Sequence, residues 1–125
     1  MRERRYLINT HIFIWSLDRD RRLPKECLPL VEDGSLCYVS LVSLWEIAIK
    51  KSIGKLRMRD DLVDILRDGD IEILPISIDH VAKYEAPPHH HRDPFDRMLI
   101  AQAMSENLQV LTADRNFALY DISIV

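Results

Sequence analysis

The sequence predicts an α/β fold, a three-layer α/β/α sandwich with a central parallel sheet. Short apolar runs alternate along the chain with segments of helical periodicity, which is typical of a parallel sheet with helices on both faces. The apolar runs are continuous, as strands covered on both faces should be. The 125 residues, of which 47% are hydrophobic, predict one domain spanning residues 1–125 with a proper core.

The order of elements follows from their residues. The run Tyr6–Ile8 predicts a first strand, and the residues after it predict a short helix over 10–17. Pro24 suits the first turn of a second helix that Gly34 ends. Apolar residues at helical spacing over 41–53, followed by a glycine, predict a third helix. The remaining predictions are strands at 36–39, 71–76, 108–111 and 122–125, and helices at 60–67, 78–84, 95–107 and 115–120.

Composition and charge argue against some classes of protein. The net charge of -3 disfavours a general nucleic-acid coat protein, although a local basic patch can still serve a nuclease. No apolar run approaches the roughly 18 residues of a membrane span. Cys27 and Cys37 lack metal or redox spacing, which favours reduced thiols in a cytoplasmic protein. Asn9, Thr10 and His11 interrupt the first apolar run, so we interpret it as a strand with a charged lead-in rather than a signal peptide.

Polar residues follow the predicted strands. Asn9 comes directly after the first strand, Glu46 lies on the helix after the second, Asp96 opens the long helix, and Asp114 follows the fourth strand. In open parallel sheets, ligands bind beyond the carboxyl ends of the strands, near helix N-termini. We therefore expect these side chains to lie along one edge of the sheet.

Each of these residues also has a plain interpretation as a helix cap, which is the better explanation for any one of them. The capping assignments would be Asn9 or Thr10, Ser43 with Glu46, Asp93 ahead of Pro94, and Asp114. Several carboxylates at one edge, however, would repel each other unless a cation lay between them. Oxygen ligands suit Mg²⁺ or Mn²⁺ rather than zinc, and such an ion can activate water for attack on a phosphodiester.

Four segments carry a family resemblance: YLINTHIFIWSL, VSLVSLWEIAIKKSIGKL, HRDPFDRMLIAQAMSENL and VLTADRNFALY. They are similar to the motifs of PIN domains, and in detail to the VapC-like toxins of prokaryotic toxin–antitoxin pairs. The match covers nearly the whole chain in the right order. The resemblance implies an α/β/α sandwich, ribonuclease activity that uses Mg²⁺ or Mn²⁺, a homodimer, and a cognate antitoxin as protein partner.

The resemblance also implies which residues form the site. The family's acidic positions fall on Asn9, Glu46, Asp96 and Asp114, which are therefore the expected catalytic and metal-binding residues. Thr112 matches a hydroxyl that commonly supports this site. Two further residues are expected to support it: Thr10 and Asp93.

Asn9 departs from the family pattern, in which an aspartate usually stands at this position. Asparagine keeps the size and one carbonyl oxygen but loses a charge and a strong ligand, so metal affinity should fall. Two explanations stay open. The residue was engineered, or selected during cloning because an active toxin kills its host; or the natural protein is impaired.

Cations beside the acidic residues are candidates for binding the RNA backbone. Arg97 and Arg115 each follow a site acid directly, and the basic stretch over 50–59 is a candidate RNA track. Solvated helix ends and loops are the plain alternative. The candidates in the basic stretch are Lys50, Lys51 and Lys55.

Other conspicuous side chains favour structural roles. The three histidines at 89–91 indicate a hydrated loop near the site rather than a zinc centre, because adjacent loop histidines point in different directions. His11 is interpreted as a helix-start residue. Trp15 and Trp45 stand at helical spacing among apolar neighbours, which favours core packing over base stacking.

The sequence therefore predicts a metal-dependent endoribonuclease, the toxin of a toxin–antitoxin pair, that hydrolyses RNA phosphodiester bonds. The alternative is a catalytically inactive PIN module that binds RNA or an antitoxin partner. A structure-specific DNA nuclease is less favoured, because such enzymes usually need longer chains. Homodimerisation has weak support from the sequence itself, through apolar helices such as Ile78–Tyr84 whose contacts cannot be assigned.

Overall fold

The computed structural model describes residues 5–58, 61–88 and 93–125 of the chain. Four short strands alternate with helices along these residues. In chain order the elements are β1 Tyr6–Ile8, α1 Thr10–Asp18, α2 Leu28–Asp33, β2 Cys37–Ser40, α3 Leu41–Ser52, α4 Leu62–Asp68, β3 Glu72–Leu74, α5 Ile78–Tyr84, α6 Pro94–Glu106, β4 Gln109–Leu111, and a 3₁₀ helix Arg115–Leu119.

The strands form one parallel sheet in the order β3-β2-β1-β4. Neighbouring residues of each strand point to opposite faces. Ile8, Val39 and Leu111 belong to a core cluster shared with α1 to α4, while Leu7 and Val110 belong to a second cluster shared with α6 and the 3₁₀ helix. Both faces of the sheet are therefore covered, which confirms the predicted three-layer sandwich.

Two predicted elements differ from the structure. The second helix begins at Leu28 rather than near Pro24, because the residues after Pro24 form a turn in which the Cys27 amide donates to the Pro24 carbonyl. The predicted strand at 122–125 reduces to one parallel bridge, between Val110 and Ile124. The chain reaches this segment directly from the 3₁₀ helix and runs beside β4 at only this point.

Helix α3 buries a different face from the one that its apolar residues predict. The buried side chains are Val42, Ser43, Glu46 and Ile47, whereas Trp45 is 60% exposed. The interpretation of Trp45 as a core residue was therefore wrong. The protein-facing side of the helix carries two polar residues beside two apolar ones, because the helix begins at the polar carboxyl end of the sheet.

The other tryptophan and the two cysteines agree with the sequence. Trp15 is partly buried and packs against the first core cluster. Cys27 and Cys37 are free and buried. Burial raises the pKa of both thiols, to about 11 for Cys37, so neither is a reactive thiolate at neutral pH.

Helix α5 is fixed by a reciprocal cap. The Ser77 hydroxyl accepts from the His80 amide at 3.2 Å, and His80 Nδ1 accepts from the Ser77 amide at 3.0 Å. His80 Nε2 therefore carries the ring proton and donates to Glu106 of α6 at 2.8 Å. The opposite side of α5 is apolar and open to solvent, since Ile78 is 87% exposed.

No helix within the described ranges combines the length and the apolar character needed to cross a membrane.

Two glycines allow a test of backbone strain against steric crowding. Gly34 and Gly54 both have φ near +70°, at 73° and 74°. A methyl group on Gly34 would stand 3.1 Å from Ile71 Cγ1, whereas one on Gly54 would meet nothing within 4 Å. We expect Gly54→Ala to lower the free energy of unfolding by about 1 kcal/mol through backbone strain, and Gly34→Ala to lower it by roughly 1 kcal/mol more. Urea denaturation measures both free energies of unfolding. Equal losses in the two variants would show that the Ile71 side chain moves aside without destabilising the protein.

Candidate active site

The site begins where three neighbouring strands end. Ile8 of β1 is in register with Val39 of β2 and Leu111 of β4. The residues that follow, Asn9, Ser40 and Thr112, therefore stand level at one edge of the sheet, and all three are buried. Buried polar groups need hydrogen-bond partners, and here each finds them in a helix start or a neighbouring strand end.

Asn9 uses both ends of its side-chain amide. Its Oδ1 accepts from the His11 backbone amide at 3.1 Å and so caps α1, while its Nδ2 donates to Thr112 Oγ1 at 3.0 Å. The cap determines the orientation, because only the amide oxygen can accept from a backbone N–H. An aspartate would direct a second carboxylate oxygen to the place where Asn9 directs an N–H.

Thr112 links the two strand ends to the next acid. Its Oγ1 accepts from Asn9 Nδ2 and also from the Asp114 amide at 3.0 Å. The Asp114 carboxylate accepts from the Asn116 amide at 2.9 Å and caps the 3₁₀ helix. Asp114 is thus a helix cap, as the plain interpretation expects, and its backbone amide is linked to Asn9 through Thr112 Oγ1.

Glu46 reaches the same edge from α3. The predicted capping box of Ser43 with Glu46 was wrong, because α3 is capped by Ser40, whose hydroxyl accepts from the Val42 amide. Ser43 instead accepts from the Thr10 hydroxyl at 2.8 Å, which joins the first turns of α1 and α3. The buried Glu46 carboxylate pairs with Lys50 Nζ at 2.9 Å.

Asp93 and Asp96 stand at the start of α6. The Asp93 carboxylate is exposed and caps this helix by accepting from the Phe95 amide at 2.8 Å and the Asp96 amide at 3.3 Å. Asp96 lies in the first helical turn and is partly buried. The ring of Phe95 meets that of Trp45 edge-on at 5.4 Å, which packs this turn against α3 beside Glu46.

The carboxylates approach the edge without forming a compact ligand set. Across the described residues, no group of three or more His, Cys, Asp or Glu side chains is placed to hold a metal ion. The oxygen donors Glu46, Asp96 and Asp114 match a hard divalent cation in chemistry. Their negative charge is lower than four acids would supply, because Asn9 is neutral and Lys50 offsets Glu46.

Arg97 does not belong among the RNA-binding candidates. It is only 4% exposed, and its guanidinium donates to the backbone carbonyls of Tyr84, Pro87 and Pro88 while lying over the Tyr84 ring. The sequence does indicate that Arg97 is buried, because it stands on the same face of α6 as the apolar residues Ile100 and Ala101, three and four positions later. The expected phosphate contact is replaced by a structural role between α5 and α6.

The other proposed cations keep their solvent access. Arg115 and Lys55 are exposed, and Lys50 and Lys51 are partly exposed. The pairing of Lys50 with Glu46 was missed, although the spacing of four residues on one helix is its signal. His11 is exposed at the start of α1, with its ring 5.7 Å from that of Trp15, as a helix-start residue should be. The histidines at 89–91 and the arginines at 2, 4 and 59 lie outside the described residues.

One family accounts for almost the whole of this arrangement. The PIN domain family matches residues 6–122, which include all four strands and all the site residues above. The chain belongs to the PIN domain family. No curated protein sequence matched it.

Solved structures share the fold of this PIN domain at low sequence identity. VapBC2 from Rickettsia felis bound to a promoter DNA fragment matches with a TM-score of 0.71 and 15% identity, covering 96% of each chain. DNA-bound VapBC from Salmonella typhimurium matches at 0.69 and 19%, covering 98% of each chain. FitAcB from Neisseria gonorrhoeae matches at 0.62 and 18%, covering 95% of each.

The two arginines beside site acids make a matched pair for testing the role of Arg97. We expect Arg97→Ala to lower the free energy of unfolding by roughly 2–4 kcal/mol, because it leaves buried carbonyls without their charged donor. The exposed Arg115→Ala should change it by less than about 0.5 kcal/mol. Urea denaturation separates the two, and similar small effects would mean that Arg97 is not structural.

Proposed function

We propose that this PIN domain is a divalent-metal-dependent endoribonuclease and the toxin of a toxin–antitoxin pair. The observation that carries the proposal is the meeting of Asn9, Thr112 and Asp114 at the carboxyl edge of the sheet. The bond between Thr10 and Ser43 brings the turn before Glu46 to the same edge. These contacts support a site at the edge where parallel sheets bind ligands, and we infer that Glu46, Asp96 and Asp114 serve it together.

The residues have distinct roles in this proposal. Glu46, Asp96 and Asp114 would hold Mg²⁺ or Mn²⁺, with the Asn9 side-chain oxygen, which also accepts from the His11 amide, as the weaker fourth group. A bound ion of this kind activates water and stabilises charge on a phosphodiester. Thr112 fixes Asn9 and the Asp114 backbone, and Thr10 fixes the first turn of α3. No side chain need act as a covalent nucleophile.

Cations would bind the RNA backbone beside these acids. Lys50 lies next to the site through its contact with Glu46, and Lys55 lies in the turn that follows α3, with its amide bonded to the Lys50 carbonyl. Arg115 is exposed directly after Asp114. Such contacts supply affinity without selecting a sequence. Lys51 is the fourth candidate for a contact with the RNA backbone.

Protein partners are part of the proposal. The similar structures include toxin–antitoxin complexes, one of them from Klebsiella pneumoniae, which supports a cognate antitoxin for this cytoplasmic PIN domain. A homodimer is supported by the exposed apolar side of α5, with Ile78 and Val81 at its centre.

The second candidate function is a catalytically inactive PIN module that binds RNA or an antitoxin. Two observations favour it. The Asn9 amide directs an N–H where an acid would direct an oxygen, and the Glu46 charge is already balanced by Lys50. Both lower the affinity of this edge for a divalent ion.

The exchange Asn9→Asp distinguishes the two functions. It restores a negative charge without changing the size of the side chain. We expect Mg²⁺-dependent cleavage of structured RNA to rise at least about tenfold, because a metal ligand is regained. The measurement is the cleavage rate with Mg²⁺ and with a chelator in its place.

The control for this experiment is the double variant Asn9→Asp with Asp96→Asn, which keeps the shape and removes one expected ligand. It should be inactive. If Asn9→Asp is no more active than this control, the nuclease proposal is wrong for this chain, and RNA binding without cleavage becomes the better account.

The homodimer has its own test on α5. Ile78→Lys should convert a dimer to a monomer, because a buried ammonium at the centre of an apolar interface is costly. Val63→Lys on α4 is the matched control, since Val63 is also an exposed apolar residue. Sedimentation equilibrium measures the result. A monomeric unaltered protein at high concentration would contradict the proposal.

A further inference from the structure

The pair formed by Glu46 and Lys50 places a positive charge at the acidic site. The Glu46 side chain is 6% exposed, and its Oε2 lies 2.9 Å from Lys50 Nζ. A buried carboxylate is unfavourable without a partner, and the ammonium supplies one. Lys50 itself is 39% exposed, so its charged end is within reach of solvent.

The same carboxylate is an expected ligand of the divalent ion. An ammonium held at hydrogen-bond distance repels a cation that approaches the same oxygens, and it occupies lone pairs that a metal would use. Asn9 makes this competition more consequential, because it contributes no charge to attract the ion. The Lys50 ammonium therefore weakens metal binding at Glu46 while it stays at Oε2, and its departure strengthens that binding.

RNA provides a reason for Lys50 to move. The residue lies in the last turn of α3, and the basic side chains of Lys51, Lys55 and Arg57 follow it. A phosphate group bound along this stretch is a solvent-exposed anion with which the Lys50 ammonium can pair instead of Glu46. A lysine side chain can rotate from one anion to the other because its four-carbon stem is flexible.

We propose that Lys50 is an internal counter-ion that competes with the divalent cation for Glu46 until RNA phosphate takes it. Lys50 is then a positioning residue that couples two ligands: RNA raises the affinity for the metal, and the metal raises the affinity for RNA by the same factor. This inference rests on the proposed function, because both ligands, the divalent metal and the RNA, belong to that proposal.

The test measures Mn²⁺ affinity from the paramagnetic resonance signal of the free ion, without any assay of activity. We expect Lys50→Met to bind Mn²⁺ about fivefold more tightly than the unaltered protein, as loss of a partly exposed ion pair should allow. Lys50→Gln should show a similar increase in Mn²⁺ affinity. Two controls should stay within about twofold: Lys50→Arg, which keeps the charge, and Lys55→Met, which removes a neighbouring one.

A second measurement tests the coupling to phosphate. A short oligothymidylate supplies phosphodiesters, and we expect it to tighten Mn²⁺ binding by the unaltered protein and by Lys50→Arg, which keeps the competing charge. It should have less effect on Lys50→Met, in which nothing competes for Glu46. Phosphates also bind Mn²⁺ directly, but this background is the same for every variant.

The outcomes separate this inference from the proposed function. If Asp96→Asn abolishes Mn²⁺ binding while both charge-removing variants of Lys50 bind it no more tightly than the unaltered protein, the role of Lys50 is overturned and the metal site stands. If neither the unaltered protein nor Asn9→Asp nor Lys50→Met binds Mn²⁺, both are overturned. Thermal unfolding of each variant verifies that it is folded.

Discussion

The side chain of Asn9 makes two hydrogen bonds at the point where the central strand β1 ends. The bond to Thr112 joins residues 103 positions apart and ties the start of the chain to its last parallel strand. The bond from the His11 amide starts α1. Because β2 and β4 are in register with β1, this small polar group determines where two strand ends and one helix start meet. Everything proposed for the site depends on that meeting.

Most of the fold was predictable because its signals are local. The run Tyr6–Ile8 and the periodic segments before Gly34 and Gly54 indicate their elements by apolar spacing and by a stop. Which face of α3 is buried was not predictable, because a periodic apolar face identifies a helix without identifying what covers it. At the carboxyl edge of the sheet the protein side of α3 includes Ser43 and Glu46, so that Glu46 lies inward while Trp45 lies outward.

The site was predictable in position and less so in its charges. Parallel strand ends must share an edge, so the residues after them were expected together, and Asn9 and Thr112 are in contact. The contacts of the two cations differ in how local they are. Arg97 and Lys50 both stand near a site acid in sequence. The pairing of Lys50 with Glu46 is indicated by their spacing of four residues on one helix, whereas only the folded chain shows that Arg97 donates to carbonyls at and after the end of α5.

The reciprocal cap of α5 has a consequence for association. Ser77 and His80 close the first turn, and Glu106 holds His80 from α6. Ile78 therefore projects from a helix that is rigid before any partner arrives. Binding surfaces that are ordered in advance lose little conformational entropy on docking, so more of the apolar contact free energy remains as affinity. The seven-residue α5, too short to be stable alone, is held in helical form by a histidine buried on its other side.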